Sequence, residues 1–207
     1  MFEKNPESLE SNRPGAVQRR GKERRRAILD AAEALLAEQG YEAATLKAIG
    51  ERAGIPTASM YHYFPDRHQV DAELLRRHAG ELDSLIGATL GTPTVRTLRE
   101  AVDIVVDLFL DYFRRHPSVT RLWFTGRHPL LDELVRAFDQ AQAERLRHHL
   151  IERGLVTADI PPLTLQLTFE VSNRLFDIAF RRSSTGDEAT IDEARRLVTA
   201  YLETYAP

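Results

Sequence analysis

Residues 27–70 read AILDAAEALLAEQGYEAATLKAIGERAGIPTASMYHYFPDRHQV, and this stretch decides the fold of the amino-terminal part of the chain. Apolar residues recur at helical spacing up to Gly40, a residue suited to a left-handed C-cap. Thr45 is suited to N-cap a short second helix, which Gly54 ends in the same way. The stretch therefore predicts one helix over 22–39 and a second over 46–53.

A third short helix is predicted over 57–63, directly after Ile55 and Pro56. Pro65 ends it, because its ring disfavours a helical conformation at Phe64. Asp66, followed three residues later by glutamine, is typical of the start of a longer fourth helix. Three compact helices, with a glycine turn between the second and the third, predict a helix-turn-helix. Apolar residues assigned to its core are Ile28, Leu46, Ile49, Ile55, Met60 and Phe64.

Charge is distributed unevenly along the chain. The whole sequence carries a formal charge of -3, which argues against an obligate polyanion binder. Between Arg13 and Arg26, however, seven basic residues face one acid, a local charge of +6. Because residues 1–21 show no apolar periodicity, we predict a disordered basic arm there. Such an arm either contacts DNA or is a solubilising tail.

The rest of the chain, 67–207, repeats the helical period and shows no alternating β pattern. The predicted fold class is all-α, with about nine helices in all. Three segments are expected: the arm at 1–21, a helix-turn-helix domain at 22–66 and a larger helical domain at 67–207. Beyond the fourth helix, the predicted helices lie near 95–115, 118–125, 129–153, 162–182 and 188–205.

The pattern from Gly40 through Thr45, the Gly54 turn and the run Met60 to Phe64 resembles the DNA-binding domain of TetR-type transcriptional regulators. The resemblance covers about residues 24–75. It implies that the third helix lies in the major groove, and that residues 67–207 form a ligand-binding and dimerisation domain. Double-stranded operator DNA, near-palindromic, is then the implied partner of a homodimer.

The resemblance also assigns DNA contacts residue by residue. Thr45, Lys47, Tyr61 and Arg67 are expected at phosphates. Thr57, Ala58, Ser59 and Tyr63 are expected at base edges. Each has a structural alternative: Thr45 as a helix cap, and Tyr61 and Tyr63 as core aromatic residues.

One departure from the family concerns Pro56, which stands where a capping residue is usual and shifts the start of the third helix. No charged residue occurs between Arg52 and Asp66. Bidentate arginine-to-guanine readout from the third helix is therefore excluded, and hydroxyl groups, methyl contacts and DNA shape are left to provide specificity.

Aromatic residues concentrate in the carboxy-terminal domain, where an apolar cavity with a few polar groups would suit a small molecule. A packed core is the alternative for each of these residues. The predicted ligand-binding residues are Phe109, Phe113, Trp123, Phe138, Phe169, Asn173 and Phe176. A largely apolar or aromatic effector of unknown identity is expected, rather than a phosphorylated or anionic one.

The last predicted helix repeats apolar residues at spacings of three and four, which is typical of a seam that packs another helix. The seam consists of Ile191, Ala194, Val198, Tyr201 and Tyr205. We predict that it lies in the homodimer interface, and burial inside one protomer is the alternative.

Several classes of protein are excluded by what the sequence lacks. It contains no cysteine, so neither disulfides nor thiolate metal sites are expected. It has no HExxH spacing, phosphate loop or nucleophile elbow, so no enzymatic activity, cofactor or metal is predicted. The amino end has no apolar segment of the signal-peptide type and no stretch suits a membrane span, so a cytoplasmic protein is expected.

These observations predict a DNA-binding transcriptional regulator, a repressor that a small apolar effector releases from its operator. An activator, or a regulator without a small-molecule effector, is the first alternative. A helical adaptor or enzyme that merely carries a helix-turn-helix is the second, and steeply salt-dependent binding to specific duplexes would separate it from a regulator.

Overall fold

The computed structural model describes residues 14–91, 95–125 and 128–207, with side chains from residue 18 onward except that of residue 125. Within these ranges the chain forms helices and turns and no strand, which confirms the all-α prediction. The helices are α1 (Pro14–Gln39), α2 (Leu46–Ala53), α3 (Thr57–Tyr63), α4 (Arg67–Leu90), α5 (Leu98–Arg115), α6 (Pro117–Thr125), α7 (Pro129–Glu152), α8 (Pro162–Arg182) and α9 (Glu188–Glu203). The chain divides into two compact units between Val70 and Asp71, inside α4.

The predicted disordered arm is wrong over 14–21, because α1 begins at Pro14. Missing apolar periodicity argues against packing, but it does not argue against a helix. Alanine, glutamine and arginine, which occur in this segment, favour helices, and extending an existing helix needs no new nucleus. Arg19 and Glu23 lie one turn apart with their charged atoms at 3.6 Å. Residues 1–13 of the predicted arm lie outside the described residues.

Short-range capping builds the helix-turn-helix of the first unit. The Thr45 hydroxyl accepts a hydrogen bond from the backbone N–H of Ala48 at 3.2 Å, so Thr45 is the predicted N-cap of α2. Gly54 adopts a left-handed conformation with φ of 66° and ends the helix. Ile28, Ile49, Ile55, Met60 and Phe64 are buried, as predicted for the core, whereas Leu46 is only half-buried.

Gly50 in α2 allows α2 and α3 to pack closely. A Cβ atom at this position would lie 2.9 Å from the backbone oxygen of Ile55 and 2.9 Å from Cγ of Met60. The Ile55 N–H donates to the Gly50 oxygen at 2.9 Å, so the turn cannot move away without losing a hydrogen bond. Glycine at position 50 is therefore required by the packing of the helix-turn-helix.

We expect Gly50→Ala to destabilise the first unit by about 1–3 kcal/mol through overpacking. Gly21→Ala in α1 is the matched control, because a Cβ there meets nothing within 4 Å. Alanine in an open helical position should instead stabilise by up to about 1 kcal/mol. Urea unfolding of both variants measures the two changes. Equal effects of the two substitutions would contradict the packing explanation.

In the second unit, α5, α8 and α9 pack against one another. Arg195 of α9 donates to the carboxylates of Asp103, at 3.1 Å, and Asp107, at 2.5 Å, both on α5. Ile191, Ala194 and Val198 are all at most 5% exposed. The prediction that these residues form a seam between protomers is therefore wrong, because they pack inside the chain. A spacing of three and four shows that a helix packs on a neighbour, but it does not show which chain the neighbour belongs to.

No helix in the described ranges combines the length and the apolar character that crossing a bilayer requires.

Candidate functional site

The recognition-helix candidate α3 begins at Thr57, the predicted position. Pro56 precedes it in an extended conformation and supplies no side-chain cap. The backbone N–H groups of Ser59 and Met60 donate to the Pro56 oxygen at 2.8 and 3.2 Å, so the first turn closes on the proline carbonyl. The departure at Pro56 thus leaves the start of the helix intact.

The residues assigned to DNA lie mostly on the accessible surface of the first unit. Thr45, Lys47 and Ala58 are exposed, and Thr57 and Ser59 are half-exposed. Tyr61 is 57% exposed, so its alternative as a core residue is wrong. A large aromatic side chain held in water on α3 is available to contact a partner.

Tyr63 lies beside Arg24, near the middle of α1. Its hydroxyl accepts a hydrogen bond from Nη1 of Arg24 at 3.3 Å. The neighbouring Arg25 guanidinium lies 4.9 Å from the centroid of the Phe64 ring. Two residues of the basic segment are therefore held against the end of α3, an arrangement that the sequence analysis missed. The spacing of Arg24 and Arg25 along α1 did not identify which element they meet.

Arg67 is half-buried and lies against Tyr41. Its guanidinium carbon is 4.5 Å from the Tyr41 ring centroid, and Nη1 donates to the Tyr41 backbone oxygen at 3.4 Å. This stacking gives Arg67 a structural task in joining α4 to the turn after α1. Its assignment to a phosphate stays a prediction.

Two ion pairs, Arg52 with Glu38 and Lys47 with Glu51, involve charged side chains of α2. Arg52 donates two hydrogen bonds of 2.6 Å to the Glu38 carboxylate, which lowers the pKa of Glu38 from its ordinary value. Lys47 lies more loosely, 3.9 Å from Glu51. Since a long exposed pair contributes little and is screened by salt, Glu51 holds Lys47 only weakly.

In the second unit, most of the predicted ligand-binding residues meet in one aromatic cluster. Phe109 and Phe113 of α5 face Phe169 and Phe176 of α8 with ring centroids 6.1–6.5 Å apart. Together with Asn173 these rings line a cavity of about 50 Å³. Sites for drug-sized ligands measure roughly 300–1,000 Å³. In this conformation the cluster is a packed core with a small void.

Phe138 and Trp123 extend the cluster toward α6 and α7. Their ring centroids are 5.2 Å apart in an edge-to-face arrangement. Trp123 and Asn173 also line a second, open cleft of about 450 Å³ between α6, α7 and α8. Asn173 therefore lines both the small aromatic cavity and the open cleft. Helical spacing predicts Trp123 and Asn173 together with the aromatic residues and does not distinguish the cavity from the cleft.

Two family profiles match the chain. One is described as bacterial regulatory proteins of the tetR family and matches residues 28–74. The other is described as the tetracyclin repressor-like C-terminal domain and matches residues 97–202. The matches cover the helix-turn-helix and most of the second unit.

Individual relatives are regulators of transcription. The HTH-type transcriptional repressor KstR of Rhodococcus jostii is 32% identical over 172 residues, which span 81% of this chain and 78% of that protein. The HTH-type transcriptional activator FasR of Mycolicibacterium smegmatis is 31% identical over 54% of this chain and 52% of its own length. A crystal structure of a TetR-family regulator from Streptomyces coelicolor, 30% identical, covers 88% of this chain and 99% of that chain with a TM-score of 0.65.

Proposed function

Since the chain belongs to the TetR family of DNA-binding transcriptional regulators, we propose that it acts as a homodimeric repressor released from its operator by a small effector. Members of this family bind DNA and are not enzymes. The observation that carries the proposal is the capped helix-turn-helix, whose recognition helix holds Tyr61 in solvent. We place the protein in the cytoplasm, where operator DNA is accessible.

Repression is favoured over activation by the KstR relative, which matches most of both chains. The FasR relative is called an activator, so activation is the second candidate. Selecting bound fragments from random duplex DNA with the purified protein identifies the operator. Transcription in vitro from a promoter carrying that operator then separates the two, because a repressor lowers transcript yield and an activator raises it.

Two recognition helices in one dimer read successive major grooves about 34–36 Å apart, or a multiple of this spacing. We therefore expect the selected operator to be near-palindromic. Thr57, Ala58 and Ser59 offer hydroxyl and methyl groups to base edges, and Thr45 and Lys47 lie at phosphates. Selected fragments without two-fold symmetry would contradict the proposal that a homodimer binds the operator with both recognition helices.

The dimer surface that we propose is the outward face of α8, extended by α9. Leu163, Leu167 and Val171 follow one another at intervals of four on α8 and are exposed. Leu197 is exposed on α9, which packs beside α8. A contiguous stripe of large apolar side chains in water is a common mark of a protein interface. This face replaces the buried seam of α9 as the surface that joins two protomers.

Tyr61 provides a test of DNA contact. Tyr61→Phe removes only the hydroxyl, and we expect it to weaken binding to operator and to unrelated duplex alike by about 1.5–3 kcal/mol, the scale of a hydrogen bond to a charged group. Fluorescence anisotropy with labelled duplexes measures both. Tyr205→Phe in the second unit is the control. If Tyr61→Phe binds both duplexes with unchanged affinity, the hydroxyl of Tyr61 does not contact a phosphate.

A further inference from the structure

The open cleft of about 450 Å³ between α6, α7 and α8 has two chemically distinct walls. Trp123, Phe124 and Val135 form an apolar wall. The other residues of the cleft are polar, and their four carboxyl groups outnumber two guanidinium groups: Asp132, Asp139, Glu170, Asp177, Arg136, Arg174 and Asn173. The cleft is therefore large enough for a small molecule and is apolar on one side and acidic on the other.

Asp139 is only 6% exposed although it lines the cleft. Its Oδ2 accepts a hydrogen bond from Nδ2 of Asn173. Its Oδ1 accepts none within the described part of the chain. Burial, and to a lesser extent the nearby Glu170 carboxylate, raise the pKa of Asp139 to about 7. A buried carboxyl with one unused acceptor atom is costly for the protein to ionise.

In the described structure, no arginine of the cleft forms an ion pair with the carboxyl group of Asp139. Arg174 and Arg181 both donate to Asp177, at 2.5 and 2.7 Å. Arg136 donates to the backbone oxygen of Asp132 at 3.3 Å. The charge that acts on Asp139 is the like charge of Glu170. The carboxyl pair Asp139 and Glu170 therefore lacks a cation.

A second observation in the same cleft is independent of the carboxyl groups. Trp123 is 6% exposed, and its indole Nε1 donates no hydrogen bond among the described residues. Buried indole N–H groups usually have a partner. Trp123 and Asp139 thus line the same cleft, and each is only 6% exposed.

We propose that this cleft binds a small organic cation with an aromatic or aliphatic body, and that the charged nitrogen of this ligand lies against Asp139. The body would rest on the Trp123 and Phe124 rings, whose faces also attract cations. A metal ion fits less well, because Mg²⁺ and Ca²⁺ need several oxygen ligands and one wall is apolar. Anions are repelled by the carboxyl pair. The inference rests on the proposed effector response and names its chemical class.

The test compares three probes with a shared phenylbutyl body: phenylbutylamine, phenylbutanol and phenylbutyrate. Binding is followed by the fluorescence of Trp123, the only tryptophan in the chain. We expect the amine to bind about tenfold or more tighter than the alcohol, the scale of a charge-assisted hydrogen bond, and the butyrate to bind more weakly than either. An alcohol that binds as tightly as the amine would overturn the proposal, and so would an amine that does not bind.

Asp139→Asn keeps the shape of the side chain. The new amide oxygen can still accept the hydrogen bond from Asn173. It should reduce amine affinity about tenfold and leave alcohol affinity within about twofold. Asp192→Asn on the exposed face of α9 is the control and should change neither. Amine affinity that is the same in Asp139→Asn and in the unsubstituted protein contradicts the assignment to Asp139.

Dependence on pH gives a third readout. Protons compete with the amine for Asp139, so amine affinity should fall as pH drops from about 8 to 5.5, while the amine itself stays charged as lysine does. Other titratable groups lining the cleft are Asp132 and Arg136 of α7 and Glu170, Arg174 and Asp177 of α8. Asp139→Asn should flatten the profile. A profile that flattens only in Glu170→Gln would overturn the assignment.

These measurements use no DNA, so their outcome is separate from that of the proposed function. Asp139-dependent binding of the amine supports the cleft inference whether or not the amine releases operator duplex. Failure of any cleft-bound cation to release the operator contradicts only the effector response. Loss of the Asp139 dependence contradicts only the cleft inference.

Discussion

Leu167→Glu is expected to convert the protein from a dimer to a monomer. Leu167 is 43% exposed at the centre of the α8 stripe, between Leu163 and Val171. In a symmetric dimer the substitution places two unpaired charges in one apolar interface, which costs about 3–5 kcal/mol. The dimer dissociation constant should therefore rise roughly a hundredfold to several thousandfold. Sedimentation at micromolar protein concentration measures this change.

Operator affinity should fall with the dimer, because a single recognition helix loses the effective concentration that its tethered partner provides. Thermal stability of the protomer should change little, since Leu167 already lies in water. Val198→Glu is the contrasting variant. Val198 is 5% exposed and lines the aromatic cavity, so a charge there should unfold the second unit before it separates protomers.

A Leu167→Glu protein that stays dimeric with unchanged operator affinity would show that the stripe is not the interface. A monomeric but fully folded Val198→Glu protein would instead show that the apolar residues of α9 form the dimer interface. The pair of variants therefore separates the two surfaces in one experiment.

Asp139→Asn is expected to stabilise the second unit at pH 8 and to leave its stability nearly unchanged near pH 4. The folded-state pKa of Asp139, about 7, lies above its ordinary 3.8. Between these values the folded chain holds a proton that the unfolded chain has released, so stability falls as pH rises from about 4 to 7. The raised pKa corresponds to roughly 4 kcal/mol at high pH. The amide carries no charge and avoids this cost.

We therefore expect urea unfolding at pH 8 to give Asp139→Asn an advantage of about 2–4 kcal/mol. Glu170→Gln should give a smaller gain in the same direction, because Glu170 acts on Asp139 through its charge and burial is the larger cause. An advantage of Asp139→Asn that is equal at pH 4 and pH 8 would show that packing, and not ionisation, is responsible.

A buried carboxyl group that lowers the stability of the fold is consistent with a role of Asp139 in binding a ligand. Removing the cost by Asp139→Asn is also predicted to remove tight binding of an organic cation. We therefore expect Asp139→Asn to be more stable than the unsubstituted protein at pH 8 and to bind the amine more weakly.

The sequence by itself determined the helices and the helix-turn-helix. Thr45, Gly54, Pro56 and Pro65 act on backbone atoms within a few residues of themselves, so their effects can be read along the chain. The predicted bounds of α5 to α9 agree with the structure to within about three residues. The start of α1 was missed because residues 14–21 extend the helix without an apolar face.

The tertiary structure alone decided which surfaces are available. Periodicity showed that α9 packs on something, but only the fold places Val198 against α5 and α8 and leaves Leu167 in water. Likewise Asp139 is an ordinary polar residue in the sequence. Its burial beside Asn173, 34 positions away, follows from the packing of α7 against α8. Contacts between distant residues depend on how helices are arranged in space, and local sequence patterns carry no record of that arrangement.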